Sequence, residues 1–141
     1  MRLLTLILMM PLLFLPAGCT FSASDTAGAN KVVQKCHEAL KQKDWDTLFS
    51  LYSKSFFEEE PKSAWKSSLT AIFDRLGPLQ SAQLDYQQKD SRSQGDYYVY
   101  GYTLKFEKGT AKETMTIFKA VGEKPLLIAG HIIRPQSGAN R

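Results

Sequence analysis

A histidine and three tyrosines hold most of the chemistry this chain has to offer. His131 sits in an apolar C-terminal run, and Tyr98, Tyr100 and Tyr102 recur at every second position, the spacing of one strand face. An imidazole changes charge near neutral pH, so His131 beside phenolic hydroxyls, with Asp85 as a further partner, is where a general base would stand. Aromatic and imidazole side chains at alternating sheet positions also fill core edges with their polar tips hydrogen-bonded. The second role is the expected one. The four residues are assigned as ligand-binding positions in a pocket, and no catalytic residue is assigned. Cys36 and His37 are adjacent on a helical stretch and point about 100° apart, and His131 is the only other imidazole, so no metal-ligand set is expected. The chain has no Gly-x-Ser-x-Gly, phosphate loop, dinucleotide fingerprint or Cys-x-x-Cys, and no cofactor is expected.

Cys19 carries a different chemistry. Residues 1–18 have the parts of an export signal: Arg2, an almost unbroken apolar run from Leu3 to Leu15, then the small residues Ala17 and Gly18. Pro11 and Pro16 interrupt the run, which is shorter than the roughly 20 residues a spanning helix needs. Leu15-Pro16-Ala17-Gly18-Cys19 resembles the bacterial lipobox, with Pro16 where that pattern usually has leucine. The resemblance implies that Cys19 is acylated and becomes the mature N-terminus. Several acyl chains, at about 0.8 kcal/mol per buried methylene, make a stable anchor where one does not. Thr20 replaces the aspartate that resembles an inner-membrane retention signal, so the expected location is the cell envelope, at the outer membrane facing the periplasm. Residues 19–30, rich in Ser, Ala, Thr and Gly, read as a flexible tether. With Cys19 acylated, Cys36 is left as a lone thiol on an apolar helix face, where it behaves as a small hydrophobe.

The chain has 141 residues with 43% hydrophobic and 23% charged content, which suits one domain and excludes a disordered chain. A net charge of +4 without a basic run gives no case for nucleic-acid binding.

Three helices are expected first. Asn30 to Lys43 places Val32, Val33, Cys36, Ala39 and Leu40 on one side, Asp44 caps a short second helix, and a third opens at Pro61 behind Glu58, Glu59 and Glu60. Gly77-Pro78 stops it. The period then drops to two. Ala82, Leu84 and Tyr86 share a face of the first strand, Asp96 to Glu107 is the longest strand, Lys112 to Ala120 the third, and Leu126 to Arg134 the fourth. In the fourth, Leu127, Ala129, His131 and Ile133 share a side. Residues 136–141 read as a frayed tail.

The Lys43-Asp44-Trp45-Asp46 junction, Ser63-Ala64-Trp65, Leu76-Gly77-Pro78-Leu79 and the closing Ile128-Ala129-Gly130-His131-Ile132-Ile133-Arg134 resemble the NTF2-like superfamily over residues 31–135. Within it, the chain is most similar to DUF4019, small exported bacterial proteins of unknown function. The resemblance implies an α+β cone, with three N-terminal helices packed on a curved antiparallel sheet of about four strands and a cavity between. The superfamily spans enzymes and plain binding domains, so the fold does not choose between them. The expected function is that of a lipid-anchored module binding a small apolar ligand or a protein, either as a homodimer or with an envelope partner. An NTF2-like enzyme with a general base in the cone pocket is the alternative.

Overall fold

The computed structural model describes residues 23–137. The segments expected to be leader (1–18), lipidation residue (Cys19), first tether positions and end of the tail lie outside the described residues. The order is four helices followed by four strands: α1 Ala23–Gln42, α2 Trp45–Ser50, α3 Lys54–Glu59, α4 Lys62–Leu76, β1 Leu79–Arg92, β2 Gly95–Phe106, β3 Gly109–Ala120 and β4 Leu127–Pro135. The strands form an antiparallel meander in sequence order. The α+β class and helices-first order match the sequence reading. Among the described residues, no helix is long and apolar enough to cross a membrane.

The first helix departs from expectation. Positions 23–30, read as tether, form its first two turns. Asp25 suits the positive end of the helix dipole and pairs with Lys119 at 2.8 Å. Ala29 is fully buried, and a side chain at Gly28 would meet Leu126 at 2.6 Å. The small residues that suggested flexibility are thus what lets α1 approach the β3–β4 connection.

Asp44 caps α2 as expected, its carboxylate accepting from the Thr47 amide at 3.1 Å. The short α3 was not foreseen. Ser53 caps it, with Glu58 and Glu59 in its last turn, so the acidic run closes one helix rather than merely preceding the next. Pro61 precedes α4, and Gly77, at φ 78°, ends it in a conformation that favours glycine. Trp65, Leu69, Phe73 and Leu76 form the buried stripe of α4.

In β2, Tyr98, Tyr100, Leu104 and Phe106 are buried, while the alternate residues Tyr97, Val99 and Thr103 are only partly covered. The inner and outer faces therefore divide as the alternation predicts. Two β-bulges break that alternation elsewhere. In β1 the register shifts between Leu84 and Tyr86, so Leu84 pairs with Tyr102 but Tyr86 pairs with Gly101, on the outer face. Ala82, Leu84 and Tyr86 do not share one side. The Tyr86 ring occupies the space a side chain at Gly101 would need. In β4 a second shift opposes Ile128 to Ile117 and Gly130 to Thr116. Ile128 therefore turns into the core with His131, correcting the expected face of Leu127, Ala129, His131 and Ile133. Gln136, assigned to the tail, donates its amide to the Thr110 carbonyl at 2.8 Å.

Candidate functional site

Ala111, Glu113, Met115 and Ile117 take the inward positions of β3, and all are at most 1% exposed. Three of the four are apolar. Burying the carboxylate of Glu113 costs several kcal/mol unless it is paired, so its partners are the centre of the site. His37, on α1, approaches Glu113 Oε2 through Nε2 at 2.6 Å, and His131, on β4, approaches Oε1 through Nε2 at 2.8 Å. An ionised carboxylate only accepts, so both Nε2 atoms donate. The Tyr52 hydroxyl lies 2.5 Å from His131 Nδ1, and Trp65 Nε1 donates to that hydroxyl at 3.1 Å. Trp65 thus donates to Tyr52, the Tyr52 hydroxyl shares a hydrogen bond with His131 Nδ1, and His131 donates to Glu113.

Each group is brought in by a different element. Cys36 and His37 occupy the inward side of α1. Tyr52 is fixed where the chain leaves α2 and pairs with Ile128 at the start of β4. Trp65 comes from the first turn of α4. Burial pushes the Glu113 carboxyl upward, but the hydrogen bonds from His131 and His37 and the Coulomb attraction of both rings prevail, holding it at about 2. Burial raises the Cys36 thiol well above its ordinary value, and the Glu113 charge raises it further despite a hydrogen bond with Tyr52. The Tyr52 hydroxyl is also raised, by burial first and then by Cys36 and Glu113.

Such an arrangement clasps helices to sheet but does little chemistry. Both ring nitrogens of His131 are taken, and its side chain has no accessible surface. A general base needs a nitrogen within reach of substrate. Cys36 is fully buried and stays protonated, so it is no nucleophile. Among the described residues, no group of three or more His, Cys, Asp or Glu could hold a metal ion.

Of the residues singled out in the sequence, Tyr98, Tyr100, Tyr102 and His131 all face inward. The tyrosines sit in or beside the core, and among the described residues they line none of the five surface depressions of about 400–490 Å³. Tyr98 is fully buried, with the Lys89 ammonium 5.3 Å above its ring. Tyr100 donates to Asn30 Oδ1 at 2.7 Å, and its hydroxyl is pushed up to about 12, by burial first and then by Tyr102 and Tyr98. Tyr102, half-buried, meets the His37 ring edge-on at 4.7 Å. Asp85 is not a partner of His131, because it lies on the opposite face of the sheet, bonded to Thr103 and Lys112.

Glu113 and Tyr52 had not been singled out. The alternation of Ala111, Glu113, Met115 and Ile117 was the available sign for Glu113. Nothing local marked Tyr52, whose partner is 79 positions away.

Comparison with family models finds no match, and neither does comparison with curated proteins. Solved structures do resemble the chain. Bd1075 of Bdellovibrio bacteriovorus aligns over 82% of this chain and 41% of its own, with a TM-score of 0.55 and 13% identity. A protein from Catenulispora acidiphila aligns over 80% of this chain and 92% of its own, with a TM-score of 0.57 and 12% identity. The chain thus spans about two fifths of the first and nearly all of the second, and what it shares with both is an α+β fold.

Proposed function

We propose that this chain is a non-catalytic binding module of the NTF2-like kind, similar to DUF4019, carried on the periplasmic side of an outer membrane by acyl chains on Cys19. The uncovered outer face of the sheet carries this reading. Tyr86 is 49% and Ile132 48% exposed there, beside the partly covered Val99 and the ring pair of Tyr97 and Phe118, whose centroids are 4.6 Å apart. Gly101 and Thr114 lie between Tyr86 and Ile132, so the face is mixed, with large apolar side chains exposed at both edges, as interaction surfaces often have. The occupied nitrogens of His131 favour binding over general-base catalysis.

The occupant of that face is a second copy of the chain. Four strands about 4.8 Å apart and about 12 residues long at roughly 3.3 Å each offer on the order of 750 Å², close to the ~800 Å² per partner of a stable interface. Sheet faces stacked about 10 Å apart around a two-fold axis give the self-complementary contact expected of a homodimer. Residues 19–141 with Cys19→Ser, which carry neither the leader nor acyl chains, sediment as a dimer at tens of micromolar, and Tyr86→Lys converts it to monomer. A monomer at high concentration without the Tyr86 change defeats the pairing. The anchor has a separate check in the intact mass of membrane-extracted protein, where unmodified Cys19 defeats it.

A further inference from the structure

β4 is the last strand of the sheet, and the chain already uses the start of its free edge. Ser53 donates its amide to the Ile128 carbonyl at 2.9 Å, and Ile128 donates to the Leu51 carbonyl at 2.8 Å, a short parallel pairing. The chain then turns away at Ser53 into α3, and among the described residues no backbone pairs with the rest of that edge. Gln136 points its amide toward β3, so by alternation Arg134 and Ile132 do the same while His131 and Ile133 turn theirs to the open side. The exposure of His131 agrees. Its side chain is sealed, so its residual 5% belongs to the main chain. Pro135, which lacks an N–H, ends the edge.

Alongside this edge runs a depression of about 410 Å³, with Phe56 and Trp65 lining it and Glu59 and Glu60 beside them. Neither carboxylate has a cation within 4.0 Å among the described residues. The two adjacent carboxylates make this end of the depression acidic. We infer that the free edge of β4 receives an extended, basic polypeptide segment as a fifth strand. Its backbone pairs with His131 and Ile133, the stem of a lysine or arginine lies along Phe56 and Trp65, and its head group reaches Glu59 and Glu60. This site is separate from the outer sheet face and does not depend on pairing between copies.

The test uses residues 19–141 carrying Cys19→Ser and three seven-residue peptides: one alternating valine with arginine or lysine, its glutamate counterpart, and the basic peptide with alternate backbone amides methylated. Binding is read from Trp65 fluorescence in a Trp45→Phe background and from the amide resonances of His131 and Ile133. The basic peptide binds and shifts those two amides. Methylation weakens it about tenfold or more, the loss expected when strand hydrogen bonds go unmade. Glu59→Gln with Glu60→Gln, one exposed and one half-buried and neither bonded through its side chain to the core, weakens it several-fold and leaves the fold unchanged by circular dichroism. Equal binding of the methylated peptide shows that charge alone is at work and overturns the proposal. Equal binding of the acidic peptide, or no binding of the basic one at millimolar concentration, overturns it as well.

Discussion

On the inner side of the sheet a carboxylate is buried to 1% exposure among aromatic rings, and on the outer side Tyr86 and Ile132 stand half in water. Both reverse the usual placement of polar and apolar groups. The inner reversal is compensated within the chain, because every atom able to bond Glu113 comes from α1 or β4 and the helices close over it. The outer one has no such compensation among the described residues. Thr103, Lys112 and Asp85 bond one another at one end of that face, while Tyr97, Val99 and Phe118 leave the other end apolar. A group satisfied internally contributes to holding the fold together; a surface left unsatisfied is available to something else. On the reading proposed above, the difference separates stability from function, and substitutions on the two sides should separate in the same way.

The largest effect is expected inside. His131→Ala removes one of the two bonds to the Glu113 carboxylate, leaves the Tyr52 hydroxyl without its ring partner and opens a cavity. Breaking a buried pair from one side costs about 3–5 kcal/mol, a large share of the ~5–15 kcal/mol that holds a domain together. Urea unfolding followed by tryptophan fluorescence measures it. A loss near that of an ordinary surface substitution would mean that the cluster is not the clasp between helices and sheet, and the contrast between the faces would fail.

Acid offers a second way in. The folded-state value of Glu113, about 2, lies below its ordinary 4.5, so its stabilisation is fully present above about 4.5 and drains away as pH falls toward 2. A displacement of that size corresponds to about 3 kcal/mol as an order of magnitude. Glu113→Gln removes the titrating group while keeping its shape. The stability difference between the unaltered chain and this variant therefore narrows across that window, and other carboxylates contribute alike to both. A constant difference from pH 5 to pH 2 would mean that the imidazoles do not hold the carboxylate ionised.

How much of this could be read from the sequence depended on the range of each signal. Asp44 before Trp45, Gly77-Pro78 after Leu76 and the alternating tyrosines of β2 act within a few residues, and the structure has them where the pattern puts them. The first two turns of α1 were hidden because Gly28 and Ala29 resemble linker residues until Leu126 is seen against them. α3 has six residues, too few for a helical period to register, and only Ser53 announces it. The bulges in β1 and β4 moved Tyr86 outward and Ile128 inward, and a strict period of two cannot anticipate an extra residue. At the site, His131 was recognisable from its chemistry alone. Its partner Glu113 stood in plain alternation with Met115, but one of the two imidazoles that make this burial tolerable lies 76 positions away on another element.

The smallest effect on folding belongs to the outer face, where it most sharpens the contrast. Tyr86→Lys takes away a ring that is half in water and lies over Gly101, touching no buried polar group. Surface substitutions of this kind change stability by about 0.5 kcal/mol or less. Measured in urea at concentrations low enough to keep the protein monomeric, the variant should unfold almost where the unaltered chain does, although it abolishes self-association at high concentration. A pronounced loss in the monomer would tie Tyr86 to the fold through its cover of the Gly101 backbone. The exposed ring would then serve stability as Glu113 does, and the division of labour between the two faces would disappear.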